Sequence, residues 1–216
     1  MHMSGEPNEA QHYYSKKPRK STKRFSMSLD IKGRHITLAS CGGVFSKSKV
    51  DLGTIVLLEA LSLPKQGDVL DMGCGCGVIG ISLAVMRPSI DVTMVDVNPI
   101  AVKLAKENIE SNGIENAAAF QSDIYCALAG RTFDVIVSNP PLAAGYKVIY
   151  PMIEGALDHL KEGGSLQIVL RKGVNAIPKK MGDIFGNVEL ISRKSGYKVF
   201  RSVKKCVPKK QTEPKV

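Results

Sequence analysis

Apolar residues occupy alternate positions at Phe25, Met27, Leu29 and Ile31, and again at Ile36 and Leu38. This is the two-residue period of half-buried strands. Lys32-Gly33 between the runs predicts a hairpin. The period then lengthens, and "DLGTIVLLEAL" gathers its apolar residues at helical spacing before Pro64 and Gly67 stop it. From there strands and helices alternate. "DVLDMG" reads as a short buried strand, "GVIGISLAVM" as a helix ended by Pro88, and "DVTMVDV" as a second strand. Asn98-Pro99 supplies an N-cap and a first-turn proline for "IAVKLAKENIESNG", whose Ile100, Leu104, Ala105 and Ile109 share one face, with Gly113 where a C-terminal cap belongs. "AAAFQSD" and "FDVIVSN" read as strands and "IYPMIEGALDHL" as a helix. Gly163-Gly164 reads as a turn, "SLQIVL" as the fifth strand and "KKMGDIF" as a helix. "VELISR" and "YKVFRSV", joined across Lys194-Ser195-Gly196, form a closing hairpin.

Strands alternating with helices in this way predict an α/β fold: a doubly wound, mostly parallel seven-stranded sheet with an antiparallel C-terminal hairpin, plus the N-terminal β-hairpin. Ligands of such sheets sit beyond the carboxyl ends of the strands, where strand order reverses. That rule brings Asp71–Gly77, Asp96, Asp123 and Asn139–Leu142 to one rim.

Composition narrows the class. A chain of 216 residues with 44% hydrophobic and 23% charged residues fits one globular domain with short appendages. No apolar run approaches the roughly 18–20 residues that span a bilayer, and the first residues carry no apolar signal core. The five cysteines (41, 74, 76, 126 and 206) are scattered without a Cys-x-x-Cys, which predicts reduced thiols in a cytoplasmic protein and no metal site.

Charge divides the chain. Residues 1–24 hold six cations against Glu6 and Glu9, and residues 201–216 hold six against Glu213, so nine of the ten net positive charges lie at the ends. The expected organisation is a basic, flexible segment over 1–24, the domain over 25–204 and a basic tail over 205–216. A nearly neutral core between basic ends suits attraction to a polyanion, most plausibly nucleic acid, if the core is an enzyme that needs one.

The loop "DMGCGCGVIG" contains Gly75-x-Gly77-x-x-Gly80, the spacing of a dinucleotide-binding turn, with Asp96 placed 21 residues beyond Gly75 to accept ribose hydroxyls. By itself this suits NAD and S-adenosylmethionine equally, and a tight turn without a ligand is the alternative. Three features separate them. Asp71 precedes the first glycine at the strand end, where a carboxylate can receive an ammonium group or a water bridging to one; a methionine-type ligand carries that group and NAD does not. Asp123 ends the third strand, within reach of an adenine amine. "SNPPL" follows the fourth strand, and only about 75 residues remain after it, too few for a dehydrogenase's substrate domain.

Asn139-Pro140-Pro141-Leu142 carries the candidate chemistry. Two prolines hold the loop rigid and leave the Asn139 side chain and the Pro140 carbonyl as acceptors for an amine's N–H groups. The amine's lone pair can then face a methyl group on a positively charged sulfur. Alignment and charge redistribution supply most of such catalysis, and no strong base is required.

These motifs resemble class I S-adenosylmethionine-dependent methyltransferases with a Rossmann-like fold. More closely, they are similar to the small-domain methyltransferases related to the catalytic half of the 16S rRNA guanine-N2 enzyme, including stand-alone archaeal members. The resemblance runs from about Gly42 to Lys204, through "GGVFSKSKVDLGT", "VLDMGCGCGVIGISLA", "MVDVNPIAVKLAKENIESNG", "SDIY", "SNPPLAAG" and "FGNVELISRKSGYKVFRS". It implies that Asp71, Gly73, Gly75 and Gly77 surround the methionine and ribose parts of S-adenosylmethionine. Asp96 with Val97 would bind the ribose, Asp123 with Ile124 would lie near adenine, and Asn139, Pro140 and Pro141 would line the target-base site, with Asn139 also touching the cofactor. Phe45, Ser46, Asp51 and Gly53–Thr54 match the family's upstream segment, which tends to close over the cofactor.

The fourth motif residue is often aromatic in that family and stacks on the base; here it is Leu142. Tyr146 is a candidate replacement, and Arg171 and Lys172 are candidates for phosphate. The loss of the aromatic narrows the preference for guanine N2 over N7, because N7 has no N–H for Asn139 to accept. The expected activity is methylation of guanine in tRNA or rRNA by a monomer or homodimer, whose upstream hairpin could pair across a dimer. A glutamine-amide or small-molecule N-methyltransferase, and a non-catalytic RNA-binding protein of the same fold, are the alternatives.

Overall fold

The computed structural model describes residues 23–42, 44, 50–140, 145–171 and 175–205. The basic segments expected to be flexible lie almost entirely outside these residues, as do Phe45, Ser46, Pro141, Leu142 and Lys172.

The N-terminal alternation folds as β1 (Arg24–Ile31) and β2 (Arg34–Cys41), antiparallel about Lys32-Gly33. Seven further strands form one sheet: β3 (Gly67–Met72), β4 (Ile90–Asp96), β5 (Ala117–Gln121), β6 (Phe133–Ser138), β7 (Leu160–Arg171), β8 (Glu189–Lys194) and β9 (Tyr197–Val203). Their order is β5-β4-β3-β6-β7-β9-β8, parallel except for the pairs that β9 makes with β7 and β8. The order reverses between β3 and β6, so the ligand crevice lies beyond their carboxyl ends.

Helices α1 (Leu52–Ala60), α2 (Val78–Met86) and α3 (Pro99–Ser111) belong to one hydrophobic core, and α4 (Tyr146–His159) and α5 (Ala176–Phe185) to another. The central strands serve both: Val69 packs into the first core and its neighbour Leu70 into the second, each fully buried. This two-sided burial is why these strands read as continuous apolar runs.

Two readings shift. Gly163-Gly164 lies within β7, where Phe133 pairs with Leu160 but Val135 with Ser165, so residues 161–164 bulge opposite Asp134. Lys204 fastens the bulge, accepting from the Gly163 amide at 3.0 Å and donating to the Gly164 carbonyl at 2.8 Å. Gly164 has no room for a side chain, since a Cβ would meet three backbone carbonyl oxygens at 2.9–3.0 Å. The fourth helix begins at Tyr146, three residues before the expected Ile149, and carries Pro151 inside it.

The hairpin docks on its own chain. Asn108 on α3 and Asn112 at its C-cap, one turn apart, each accept from and donate to the backbone of β2: Asn108 at Ala39 (2.7 and 2.9 Å) and Asn112 at Thr37 (3.1 and 2.8 Å). The two amides satisfy the edge of β2 as a neighbouring strand would. That edge is therefore closed to a partner strand.

Candidate active site

The loop after β3 turns through three glycines in the left-handed region, Gly73, Gly75 and Gly77, at φ of 74°, 56° and 93°. The Val95 carbonyl, next to last in β4, accepts from the Gly73 and Cys74 amides at 2.9 Å each, which draws the loop across the sheet. Gly80 is set by packing, because a Cβ there would lie 2.2 Å from the Met94 sulfur. Asn108 is fully occupied: beyond its two bonds to Ala39 it donates to the Cys76 carbonyl at 2.9 Å, joining hairpin, helix and loop.

Asp71, next to last in β3, has no exposed surface. One carboxylate oxygen accepts from the Gly80 amide at 2.9 Å; the other is buried with no hydrogen-bond partner among the described residues. Burial pushes its pKa up to about 7, with the Gly80 amide opposing and Asp96 adding to the rise. An isolated, buried, half-ionised carboxylate is costly unless a ligand completes it. A cationic amine is the natural complement.

Asp96 ends β4 with its two oxygens accepting from the amides of Gly75 (2.9 Å) and Asn98 (2.8 Å). Each oxygen keeps a lone pair for a hydroxyl. Val97 follows, 42% exposed on the rim. Ser122 binds the next loop to this point: its amide donates to the Asp96 carbonyl at 3.0 Å, and its hydroxyl donates to the Ile124 carbonyl at 2.8 Å and accepts from the Ala127 amide at 3.1 Å. That clamp holds Ile124 at φ 50°, an unusual conformation for a β-branched residue, and presents Asp123 exposed beside it.

Asn139 follows β6, whose terminal Ser138 donates to the Met72 carbonyl of β3 at 2.8 Å. The Asn139 amide nitrogen donates to Asp51 Oδ2 and to Thr54 Oγ1, both at 3.0 Å. Asp51 is the N-cap of α1 and also accepts from the Thr54 amide at 3.3 Å. With the NH₂ group facing a carboxylate, the Asn139 carbonyl is left as the free acceptor, adjacent to the buried Pro140.

The structure thus gathers Asp71, the glycine loop, Asp96, Val97, Asp123, Ile124, Asn139 and Pro140 at the carboxyl ends of β3 to β6. Tyr146, 50% exposed, opens α4, and Arg171 ends β7, exposed. Sequence reasoning did not find the orienting role of Asp51 and Thr54 toward Asn139, nor the clamps made by Ser122 and Asn108. Asp51 and Thr54 carried a signal only through the resemblance, as part of the upstream segment that tends to close over the cofactor. Among the described residues no three His, Cys, Asp or Glu side chains group as metal ligands, and no helix is long and apolar enough to cross a membrane.

The chain matches the family model "Methyltransferase small domain" over residues 35–201. It is 38% identical over 199 residues to the uncharacterized protein YbxB of Bacillus subtilis, covering 90% of this chain and 99% of that one. It is 35% identical over 192 residues to the Ribosomal RNA small subunit methyltransferase C of Salmonella typhimurium, covering 87% of this chain and 55% of that one. The chain therefore spans about half the length of the curated rRNA methyltransferases it matches. Among solved structures it is similar to a Thermus thermophilus 16S rRNA guanine-N2 methyltransferase in complex with AdoMet and guanosine, at 30% identity and a TM-score of 0.76, covering 84% of this chain and 51% of that one. The chain belongs to the methyltransferase small domain family, with the Rossmann-like class I fold and S-adenosylmethionine as its cofactor.

Proposed function

We propose that this enzyme methylates a guanine in structured RNA, rRNA ahead of tRNA, at the exocyclic N2 rather than N7. The orientation of Asn139 is the observation that carries this reading. Its amide nitrogen is engaged by Asp51 and Thr54, so the group it offers is a carbonyl acceptor. An amine donates two N–H bonds and needs such acceptors; N7 has no hydrogen to give.

On this reading S-adenosylmethionine supplies an electrophilic methyl group on a sulfonium. Asp71 receives the ammonium of its methionine part, and the backbone of Gly73, Gly75 and Gly77 lies along it. Asp96 and Val97 hold the ribose, while Asp123 and Ile124 face the adenine. The carbonyls of Asn139 and Pro140 accept the N–H bonds of the amine and turn its lone pair toward the methyl. Pro141 and Leu142 complete the loop, with Phe45, Arg171 and Lys172 around the substrate. The guanine leaves its stack to reach the site, as bases modified within folded nucleic acid must. The basic ends, inferred from charge alone, attract the phosphate backbone in the cytoplasm. A relative crystallised with guanosine supports the choice of base. The stand-alone, archaeal-type affiliation implied by the motifs belongs to the same proposal, beside a bacterial relative matched over 99% of its length.

Mass spectrometry of nucleosides digested from rRNA and tRNA of a deletion strain tests it. Loss of N2-methylguanosine is expected, with labelled methyl from S-adenosylmethionine passing to the strain's RNA in vitro. Label that survives RNase and disappears with protease would overturn the RNA reading in favour of an amide on protein.

A further inference from the structure

We propose that the first turn of α4, together with α5, is a stacking platform for an unpaired nucleotide flanking the target guanine. The inference rests on the RNA reading above. Tyr146 is 50% exposed, the most exposed large hydrophobic side chain among the described residues, on the helix that follows Asn139-Pro140. Its ring is held: Tyr150, one turn on, tilts 35° against it with centroids 5.1 Å apart. Lys180 of α5 in turn places its ammonium 5.3 Å from the Tyr150 ring centre and pairs with Glu154. A surface tyrosine supported from behind has little freedom to lose on binding, and its outer face remains open.

Half exposure decides which base it meets. A guanine being modified is enclosed by its pocket, whereas a ring standing out on a first helical turn suits the strand outside that pocket. The surrounding charge fits the phosphates of such a strand. Lys147 and Arg171 are exposed, and neither helix carries an acidic residue in its first turn, while Lys179 and Lys180 on α5 are paired with Asp183 and Glu154. Aromatic stacking with nearby cations is the usual chemistry for holding single strands.

The probe is a single-stranded RNA of twelve nucleotides with one guanine, compared with versions carrying an abasic site on either side of it. Stacking of one base contributes about 1–3 kcal/mol, or about five- to hundredfold in affinity. Tyr146→Ala is expected to weaken binding by that factor and Tyr146→Phe by less than about twofold. One abasic probe should bind the wild type as weakly as intact RNA binds the alanine variant, with no further loss when the two are combined. Equal binding of intact RNA by wild type and Tyr146→Ala overturns the platform, and so does full additivity with both abasic probes. Methyl transfer separates the two levels. If the wild type modifies RNA and Tyr146→Ala keeps its RNA KM, the platform falls and the RNA reading stands; label passing to protein alone removes both.

Discussion

On the cofactor side of the rim, turns are tied by backbone amides inside one β-α-β unit. Gly75 and Asn98 donate to Asp96, Gly73 and Cys74 to Val95, and Gly80 to Asp71. On the proposed target side Asn139 is held by two side chains, Asp51 and Thr54, that lie 88 and 85 residues earlier. The first side is fixed by short loops and close backbone approach, the second by a long-range contact with the start of α1. A binding site can therefore survive damage that disables transfer. The two halves should separate under mutation.

Asn139→Ala should separate them most sharply. Removing one preorganised group that acts on the reacting centre costs about 10²–10³ in kcat. Binding of S-adenosylmethionine, measured by calorimetry, should change by less than a few fold, because Asp71 and Asp96 are untouched. The variant also discriminates the target atom: N2 transfer should fall by that factor, while N7 transfer would weaken much less.

Asp71→Asn should damage the opposite half. Loss of a charge-assisted contact costs about 1.5–3 kcal/mol, a ten- to hundredfold weaker cofactor Kd. The pH dependence sharpens this. The carboxyl titrates near 7 when folded, against an ordinary 3.8. Because the folded value is raised, the folded state keeps a proton that the unfolded chain has released between those values. Its contribution to stability is complete below about pH 4, is lost as pH rises to about 7, and is flat above, at about 1.4 kcal/mol per pH unit. Urea unfolding of the free protein at pH 5 and pH 8 should show Asp71→Asn gaining on the wild type as pH rises. Wild-type affinity for S-adenosylmethionine should climb from pH 5 to 7 as the carboxylate ionises; the variant's should not.

The same division explains what could be read in advance. Glycine spacing, Asp71, Asp96 and the N-cap at Asn98 are local, because strand, turn and helix follow one another within a few residues. The order of elements, and with it the rim, follows from periodicity and from the handedness of parallel crossovers. Asn108, Asn112 and Ser122 are ordinary polar residues in the chain, and their meaning comes from backbone groups that folding brings beside them: Asn108 meets Ala39, 69 residues away. Gly163-Gly164 reads as a turn because a glycine pair marks a turn or a bulge alike; the backbone of β6 and β9 on both sides makes it a bulge.

Thr54 gives the smallest and most specific test of the long-range lock. Thr54→Val keeps the shape of a half-capped first turn but removes the hydroxyl that accepts from Asn139, while Asp51 continues to hold the same amide. One neutral hydrogen bond is worth about 0.5–1.5 kcal/mol net, so kcat should fall by about two- to tenfold. Cofactor Kd and melting temperature should stay near wild type, since the N-cap bond from Asp51 to the Thr54 amide remains. Thr54→Ser should restore the rate. A fall in cofactor affinity without a change in kcat would mean that this segment serves the cofactor side of the rim instead. The orientation of Asn139 would then have to come from its own loop.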